Sequence, residues 1–217
     1  DFNETGVVKA ICISPARGTE KHIIPEGHFI PDFGIEGDAH AGTWHRQVSL
    51  LSYNKVEEFN KRGANVGDGA FGENLVVDGI DFRALPVGTR LYAGTVELRM
   101  TQIGKECHSH CAIYKRMGEC IMPKEGVFAR VIREGIIRPG DVMRVEPPAE
   151  ERPFTAAVIT LSDKGARGER KDESGPAAKE MLEAAGYEVV ELLLLPDEPG
   201  QLKTQLIRLA DSRQVDL

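Results

Sequence analysis

At 217 residues the chain is longer than an average single domain and has room for one large core or two smaller ones. With 41% hydrophobic and 28% charged residues and no low-complexity tract, its composition is that of a folded globular protein, which excludes disorder. A net charge of -7 without a long basic run argues against general affinity for nucleic acid or an anionic membrane surface, so the expected partner is a small molecule or another protein.

The densest apolar run, 189–195, is broken by Glu191 and is far shorter than the roughly 20 residues that span a bilayer, so no membrane segment is expected. Residues 1–8 carry no basic stretch followed by an apolar core, which makes the cytoplasm the default location. A start at Asp1 and a stop at Val215-Asp216-Leu217, which reads as the opening of an apolar strand, suggest a fragment.

In chain order, 7–13, 48–51, 75–77 and 96–101 are short apolar or alternating runs bounded by Gly, Pro, Asp and Asn, and read as strands. A hairpin is expected to turn near Ala93-Gly94. Helical character is expected at 54–61, capped by Ser52, and at 127–133, where Arg130 and Arg133 would share a face. A β-rich, barrel-like domain over 1–148 follows. Residues 149–153, within a Pro- and Glu-rich stretch that starts at Glu146-Pro147-Pro148, favour an extended linker.

Beyond the linker the period changes. Residues 158–161 read as a buried strand, and Ala178, Met181, Leu182 and Ala185 recur at helical spacing after a Ser174 cap, with Pro176 in the first turn and Gly186 at the exit. A second strand at 189–195, a helix with the stripe Leu202, Leu206, Leu209 and Ala210, and a strand starting at Val215 complete an alternating order. Such alternation predicts an α/β parallel sheet over 154–217. No repeat relates the two segments.

All 4 cysteines and all 6 histidines precede the linker, so thiol or imidazole chemistry belongs to the first segment. Cys107-His108-Ser109-His110-Cys111, followed by Cys120, packs three thiols and two imidazoles into a short stretch. Three readings stand side by side. Unpaired cysteines are among the most buried residues and can simply fill a core. Cys107, His108, His110, Cys111 and Cys120 could supply tetrahedral zinc ligands, although the spacing is not that of paired knuckles, and iron–sulfur ligation fits less well. Alternatively, Lys105 and a protonated His108 or His110 could favour a reactive thiolate, which is both a nucleophile and a soft metal ligand. A transient bridge between Cys107 and Cys111 also stays open, whereas structural disulfides are not expected.

Gly34-Ile35-Glu36-Gly37-Asp38-Ala39-His40-Ala41-Gly42, then Phe71-Gly72-Glu73-Asn74-Leu75, the Gly104 to Cys107 element, and Ile137-Arg138-Pro139-Gly140-Asp141 resemble the MOSC family in order and spacing. The resemblance implies a β-barrel tied to the molybdenum cofactor, with Cys107 bearing a persulfide or ligating the metal. Its ligands would be a pterin cofactor or molybdate, its partner a sulfur-donor protein, and pyridoxal phosphate is not expected. Asp38, His40, Glu73 and Asn74 are candidate cofactor-binding residues, with His45 a further loop candidate. Turn and surface roles are the competing readings for each. His108, His110, Cys111 and Cys120 lie outside the family pattern and leave room for zinc, so a non-catalytic zinc-binding or carrier module is the alternative function. Whether the chain forms a homo-oligomer stays open.

In the second segment, Ser162 and Asp163 sit at the carboxyl end of a predicted strand, where open α/β sheets bind ligands. Lys164, Arg167, Arg170 and Lys171 follow, and with the helix start at Ser174-Gly175 they suit phosphate, or else form a charged loop. These residues, with Asp172-Glu173-Ser174-Gly175-Pro176 and Leu195-Pro196-Asp197-Glu198, resemble the molybdopterin-adenylyltransferase family. That family adenylylates molybdopterin with Mg-ATP, and the resemblance makes Asp197 the candidate metal-holding carboxylate; a surface turn between Pro196 and Pro199 is the plain alternative. Its Gly-Gly-Thr-Gly pterin loop and a later acidic residue have no counterpart before Leu217, so no adenylyl transfer is expected from this chain alone.

Overall fold

The alternation of Val96, Leu98 and Met100 with Glu97, Arg99 and Thr101 lets one strand bury one face and solvate the other, and the pattern recurs around the first unit. A computed structural model describes residues 5–107, 111–148, 153–212 and 215–217, in two compact units, Asp1–Ala149 and Glu150–Leu217.

The first unit contains β1 (Thr5–Ile13), β2 (His22–Ile24), β3 (Gly27–Ile30), β4 (Gly34–Ile35), β5 (Val48–Ser52), α1 (Tyr53–Lys61) and β6 (Leu75–Asp78). After a short 3-10 turn at Phe82–Ala84 come β7 (Arg90–Ala93), β8 (Val96–Ile103), α2 (Ala112–Met117), α3 (Met122–Glu125), β9 (Val127–Arg133), β10 (Gly135–Ile137) and β11 (Val142–Glu146). Strands pair in the order β11-β7-β8-β9-β5-β6-β1, and β1 pairs back onto β11, which closes a barrel and removes its free edges. The barrel is mixed: β5 and β6 run parallel, their neighbours antiparallel. Register shifts between Val8 and Ala10 and between Met100 and Gln102 mark bulges that increase local twist. β2 continues along β1, and β10, β3 and β4 form a separate small sheet.

Inside the barrel Phe29, Leu50, Leu75, Phe82, Leu91, Leu98 and Met100 are fully buried. Each such side chain stabilises the fold by roughly 1.5–3 kcal/mol. A second apolar cluster, with Leu51, Val56, Phe59, Phe71, Ile113, Met122 and Phe128, packs α1, α2 and α3 against the barrel wall and takes in part of Cys120. The cysteine-bearing segment thereby acquires a fixed support.

Three expectations are corrected. Residues 127–133 form β9, not a helix: the segment lies between β8 and β5 and pairs with both, and this sheet pairing overrides its helix-compatible spacing. Arg130 and Arg133 therefore share no helical face. Arg130 pairs with Asp32 at 2.5 Å, while Arg133 donates to the Thr95 carbonyl at 2.7 Å. Ser52 precedes α1 but makes no side-chain cap; its hydroxyl donates to the Ile80 carbonyl.

The second unit runs β12 (Thr155–Leu161), α4 (Asp163–Ala166), α5 (Ser174–Ala184), β13 (Glu188–Leu195) and α6 (Pro199–Ser212). β12 and β13 are parallel, as an α/β crossover requires. The Leu217 N–H donates to the Thr155 carbonyl, and the Ala157 N–H donates to the Leu217 carbonyl, at 3.1 and 3.0 Å, so the segment from Val215 lies along β12. Ser174 is also corrected, from cap to first helical residue. Asp172 takes the capping role, its Oδ1 accepting from the Ser174 and Gly175 N–H groups at 3.0 and 3.1 Å.

Candidate functional site

Behind the site of the first unit lies a buried polar network. Lys21 and Asp38 form an ion pair whose side chains are both at 0% exposure. Two charges so deeply buried are tolerated only if their remaining hydrogen-bonding capacity is met. Asp38 Oδ1 also accepts the Ser14 N–H at 3.0 Å; Oδ2 accepts the Asn74 amide at 3.1 Å and the His40 N–H at 3.3 Å. Asn74 in turn donates to the Cys12 carbonyl at 3.0 Å and accepts from the Ser49 N–H and hydroxyl, each at 3.0 Å. Lys21 Nζ lies 3.1 Å from His40 Nδ1, so that nitrogen accepts from the ammonium and Nε2 carries the ring proton. Burial, reinforced by the Lys21 charge and partly opposed by Asp38, lowers the His40 pKa and keeps the ring neutral.

Glu73 is fully buried and clamps the preceding turn, accepting the Gly69 N–H at 2.7 Å and the Phe71 N–H at 2.9 Å. Desolvation pushes its carboxyl up to about 7 even against the pull of those amides. Gly69 is required here: at φ 89° a Cβ would stand 2.3 Å from the Lys21 carbonyl, which approaches because the Lys21 N–H donates to the Gly69 carbonyl. Asp38, Asn74, Lys21 and Glu73 thus form the rigid backing of the site rather than its open surface.

That surface is a cleft of about 460 Å³ lined by, among others, His40, Phe71, Lys105, Cys107, Cys111 and Cys120. Chain direction explains the gathering. Where β8 ends, Gly104 adopts φ 69° and its N–H donates to the Gly126 carbonyl at 2.7 Å, while the Lys105 N–H donates to the Pro123 carbonyl at 3.1 Å. A Cβ on Gly104 would meet the Pro123 carbonyl at 2.4 Å. Gly104 and Lys105 are therefore held against α3 and the Gly126 that ends it. Cys107 and Cys111 are exposed, Cys120 is half-buried, and none is in a disulfide. Burial raises the Cys120 pKa, and nearby Cys111 and Cys107 add to the rise. Cys12, buried at the barrel wall, is pushed up to about 12 by desolvation and so stays an inert thiol.

The structure brings together His40, Cys107, Cys111 and Cys120; His108 and His110 lie outside the described residues. Among the described residues no group of three His, Cys, Asp or Glu side chains is placed to hold a metal ion. His45 is not in the cleft lining; it packs on Thr101, whose hydroxyl donates to the His45 carbonyl at 2.7 Å. Sequence reasoning missed Lys21, because a lone lysine at the head of an apolar run carries no motif. It also missed Arg17, which donates to the Ala39 carbonyl at 3.1 Å and stacks over Trp44 beside the same loop.

A thiol-bearing cleft with a lysine and a neutral imidazole at its wall suits a soft centre and an anionic group together. Cys107 and Lys105 offer that cleft a soft donor and a cation, but among the described residues the three thiols do not converge as a metal-ligand set.

In the second unit Ser162 Oγ caps α4 by accepting the Gly165 N–H at 3.1 Å. Asp163 Oδ1 accepts the Asp197 N–H at 2.9 Å, and the Ser162 N–H donates to the Leu195 carbonyl at 2.8 Å, which joins the carboxyl ends of β12 and β13. Asp163, Ser174 and Asp197 are exposed and Ser162 half-buried, all on segments that follow the β12 and β13 carboxyl ends.

Fold and site together define a closed β-barrel with a thiol-lined cleft, followed by a parallel α/β unit with acidic strand ends. Residues 37–144 match the family described as MOSC domain, and residues 157–217 match the one described as probable molybdopterin binding domain. The chain thus carries a MOSC-type barrel domain followed by a segment of the molybdopterin-binding type. It is 48% identical over 58 residues to a molybdopterin adenylyltransferase of Pyrococcus furiosus, a match covering 26% of this chain and 34% of that protein. The chain thus spans about a third of that relative's length. Among solved structures, YiiM from Geobacillus stearothermophilus aligns with a TM-score of 0.53 at 16% identity, over 94% of this chain and 99% of its own. The YUAD protein from Bacillus subtilis aligns at 0.52 and 18% identity, over 67% and 97%. Those identities speak to fold alone. The two domain families tie the chain to the molybdenum cofactor. No helix among the described residues is long and apolar enough to cross a membrane.

Proposed function

We propose that the first domain, taken as residues 1–148, carries sulfur or holds the molybdenum of a pterin cofactor at Cys107. The second, taken as 154–217 after a linker at 149–153, would receive molybdopterin. What supports the first half is the cleft in which exposed Cys107 lies with Lys105 and His40. A Cys107 thiolate can attack the outer sulfur of a donor protein's persulfide, forming Cys107–S–SH and expelling the donor thiolate. Lys105 offers a point charge for the thiolate or for a cofactor phosphate. His40, held neutral with its Nδ1 engaged by Lys21, presents an Nε2 proton as a hydrogen-bond donor. Bound molybdenum would supply the acceptor for the transferred sulfur. Asp38, Asn74 and Glu73 act by holding these groups in place.

For the second domain the reading assigns Ser162, Asp163 and Ser174 to the pterin or its phosphate, and Asp197 to the magnesium of ATP, an adenylylation role taken from the Pyrococcus furiosus relative. Asp163 positions Asp197 by accepting its N–H. Titration calorimetry with Mg-ATP should show binding by a protein that carries the complete second domain, and its loss in Asp197→Asn.

The decisive test is incubation with a persulfide donor followed by intact and peptide mass spectrometry. One added sulfur on the Cys107 peptide, absent in Cys107→Ser, is expected. Absence of both persulfide and molybdopterin or molybdate binding discards the reading. The three cysteines in one cleft favour a second reading, a non-catalytic zinc or carrier module. Stoichiometric zinc whose removal unfolds the first domain, with an inert Cys107, would favour it instead.

A further inference from the structure

Sulfur on a protein persulfide is at the sulfane level and must gain two electrons before it leaves as sulfide. A single carrier thiol cannot supply both electrons, so release as sulfide without an external reductant requires a second thiol within reach of Cys107. Two candidates enter the cleft, Cys111 and Cys120.

The backbone distinguishes them. Hydrogen bonds from Gly104 N–H to the Gly126 carbonyl and from Lys105 N–H to the Pro123 carbonyl lay the segment leaving β8 alongside α3. Two residues onward from Lys105 is Cys107; three residues back from Pro123 is Cys120. Those contacts bring the two segments side by side where Cys107 and Cys120 both line the cleft, and Gly104 is held to glycine by the 2.4 Å approach of the Pro123 carbonyl. Cys120 is half-buried against the apolar cluster of Leu51, Phe71 and Met122, with a backbone N–H of Met122 directed to it, so its sulfur has a set position and limited access to external oxidants. Cys111 instead is exposed at the start of α2, where its carbonyl accepts the Lys115 N–H at 3.0 Å.

We propose that Cys120 is the resolving thiol of the sulfur carrier, attacking the inner sulfur of a Cys107 persulfide to release sulfide and leave a Cys107–Cys120 disulfide. The proposal rests on the persulfide reading given above for Cys107. In the step, the Cys107 Sγ–S bond breaks and the Sγ–Sγ bond forms. The Cys120 proton passes to the departing sulfur, so that Cys107–S–SH and Cys120–SH become the disulfide and hydrogen sulfide. The sulfane sulfur is reduced by two electrons and the two cysteine sulfurs are together oxidised by two. A dithiol reductant, of the class that reduces exposed protein disulfides, restores both thiols for the next cycle. The chain would then deliver sulfur already at the oxidation level of a sulfide ligand.

The test uses the full chain. Cys107 is loaded with a small-molecule persulfide donor, excess donor is removed by gel filtration, and hydrosulfide is trapped with monobromobimane without added reductant. About one equivalent per chain is expected, with a 107–120 disulfide in the non-reducing peptide map. Cys120→Ser and Cys120→Ala should load Cys107 as before yet release nothing until dithiothreitol is added, a separation that loss of structure would not produce. Release that persists in both Cys120 variants, or a bridge that maps to 107–111, overturns the proposal and leaves the carrier reading standing. Failure of Cys107 to accept sulfur overturns both. In an independent arm, diamide should crosslink 107 to 120 in unloaded protein, and a chain that loads sulfur but gives no such bridge also overturns the pairing.

Discussion

Leu50, Leu75, Leu91 and Leu98 in the barrel are at most 1% exposed, whereas in the second unit Leu192 is 44%, Leu206 52% and Met181 74% exposed. Closure accounts for the first set: a sheet that returns on itself buries one face of every strand. The second unit presents a two-stranded parallel ladder among its described residues, with the 215–217 segment alongside. The candidate sites follow the same division. Asp38, Asn74 and Glu73 are built into the first core, so its chemistry is tied to its stability, while Asp163, Ser174 and Asp197 stand on exposed segments that can change without disturbing packing.

The largest expected effect is at the buried pair. Asp38→Ala would leave the Lys21 ammonium in the interior without its counter-ion, at a cost of about 3–5 kcal/mol. Urea unfolding of the first unit should show the drop, and the double variant with Lys21→Met should recover much of it. A small cost for the single change would mean that the pair does not organise the site. Core truncation compares the two units directly: Leu50→Ala should cost about 2–5 kcal/mol, and Leu192→Ala, already half in solvent, well under about 1 kcal/mol. Equal losses by thermal denaturation would erase the distinction.

Next comes a pH effect confined to the first unit. Glu73 has a folded-state pKa of about 7 against an ordinary 4.5, so the native state binds its proton more tightly than the unfolded chain. That contribution is fully present below pH 4.5 and lost as pH rises through about 7, on the order of 3 kcal/mol in all. Glu73→Gln should flatten this part of the stability profile in urea titrations run across that window. An unchanged slope would show that the carboxyl is not desolvated as its burial implies.

Much of the fold was legible because alternation survives in β1 and β8, because β5 and β6 are short buried runs between turn residues, and because α5, β13 and α6 carry unmixed periods. β9 was misread since Val127, Arg130, Val131 and Ile132 suit a helical spacing as well as a strand, and only its two partners decide. α2 and α3 were missed: neither exceeds 6 residues, too short for a period to emerge. Of the site, the thiols announced themselves by density. Lys21 did not, since its value comes from Asp38, 17 positions away. Nor did sequence reveal that Asn74 ties Cys12, Ser49 and Asp38 together, because a side-chain amide that bridges three segments looks like any turn asparagine.

The smallest effect tests the second unit at the start of α5. Asp172 Oδ1 accepts from the Ser174 and Gly175 N–H groups, which satisfies donors that a helix start leaves open. Gly175 makes the close approach possible, because a Cβ there would stand 2.4 Å from Asp172 Oδ2. Asp172→Ala should therefore cost about 1 kcal/mol, read as faster amide hydrogen exchange along α5. Ser174→Ala, which removes no cap, should change exchange by less than about 0.5 kcal/mol. The reverse order would return the cap to Ser174. It would also engage in the backbone a hydroxyl that the present geometry leaves on an exposed residue without a capping role.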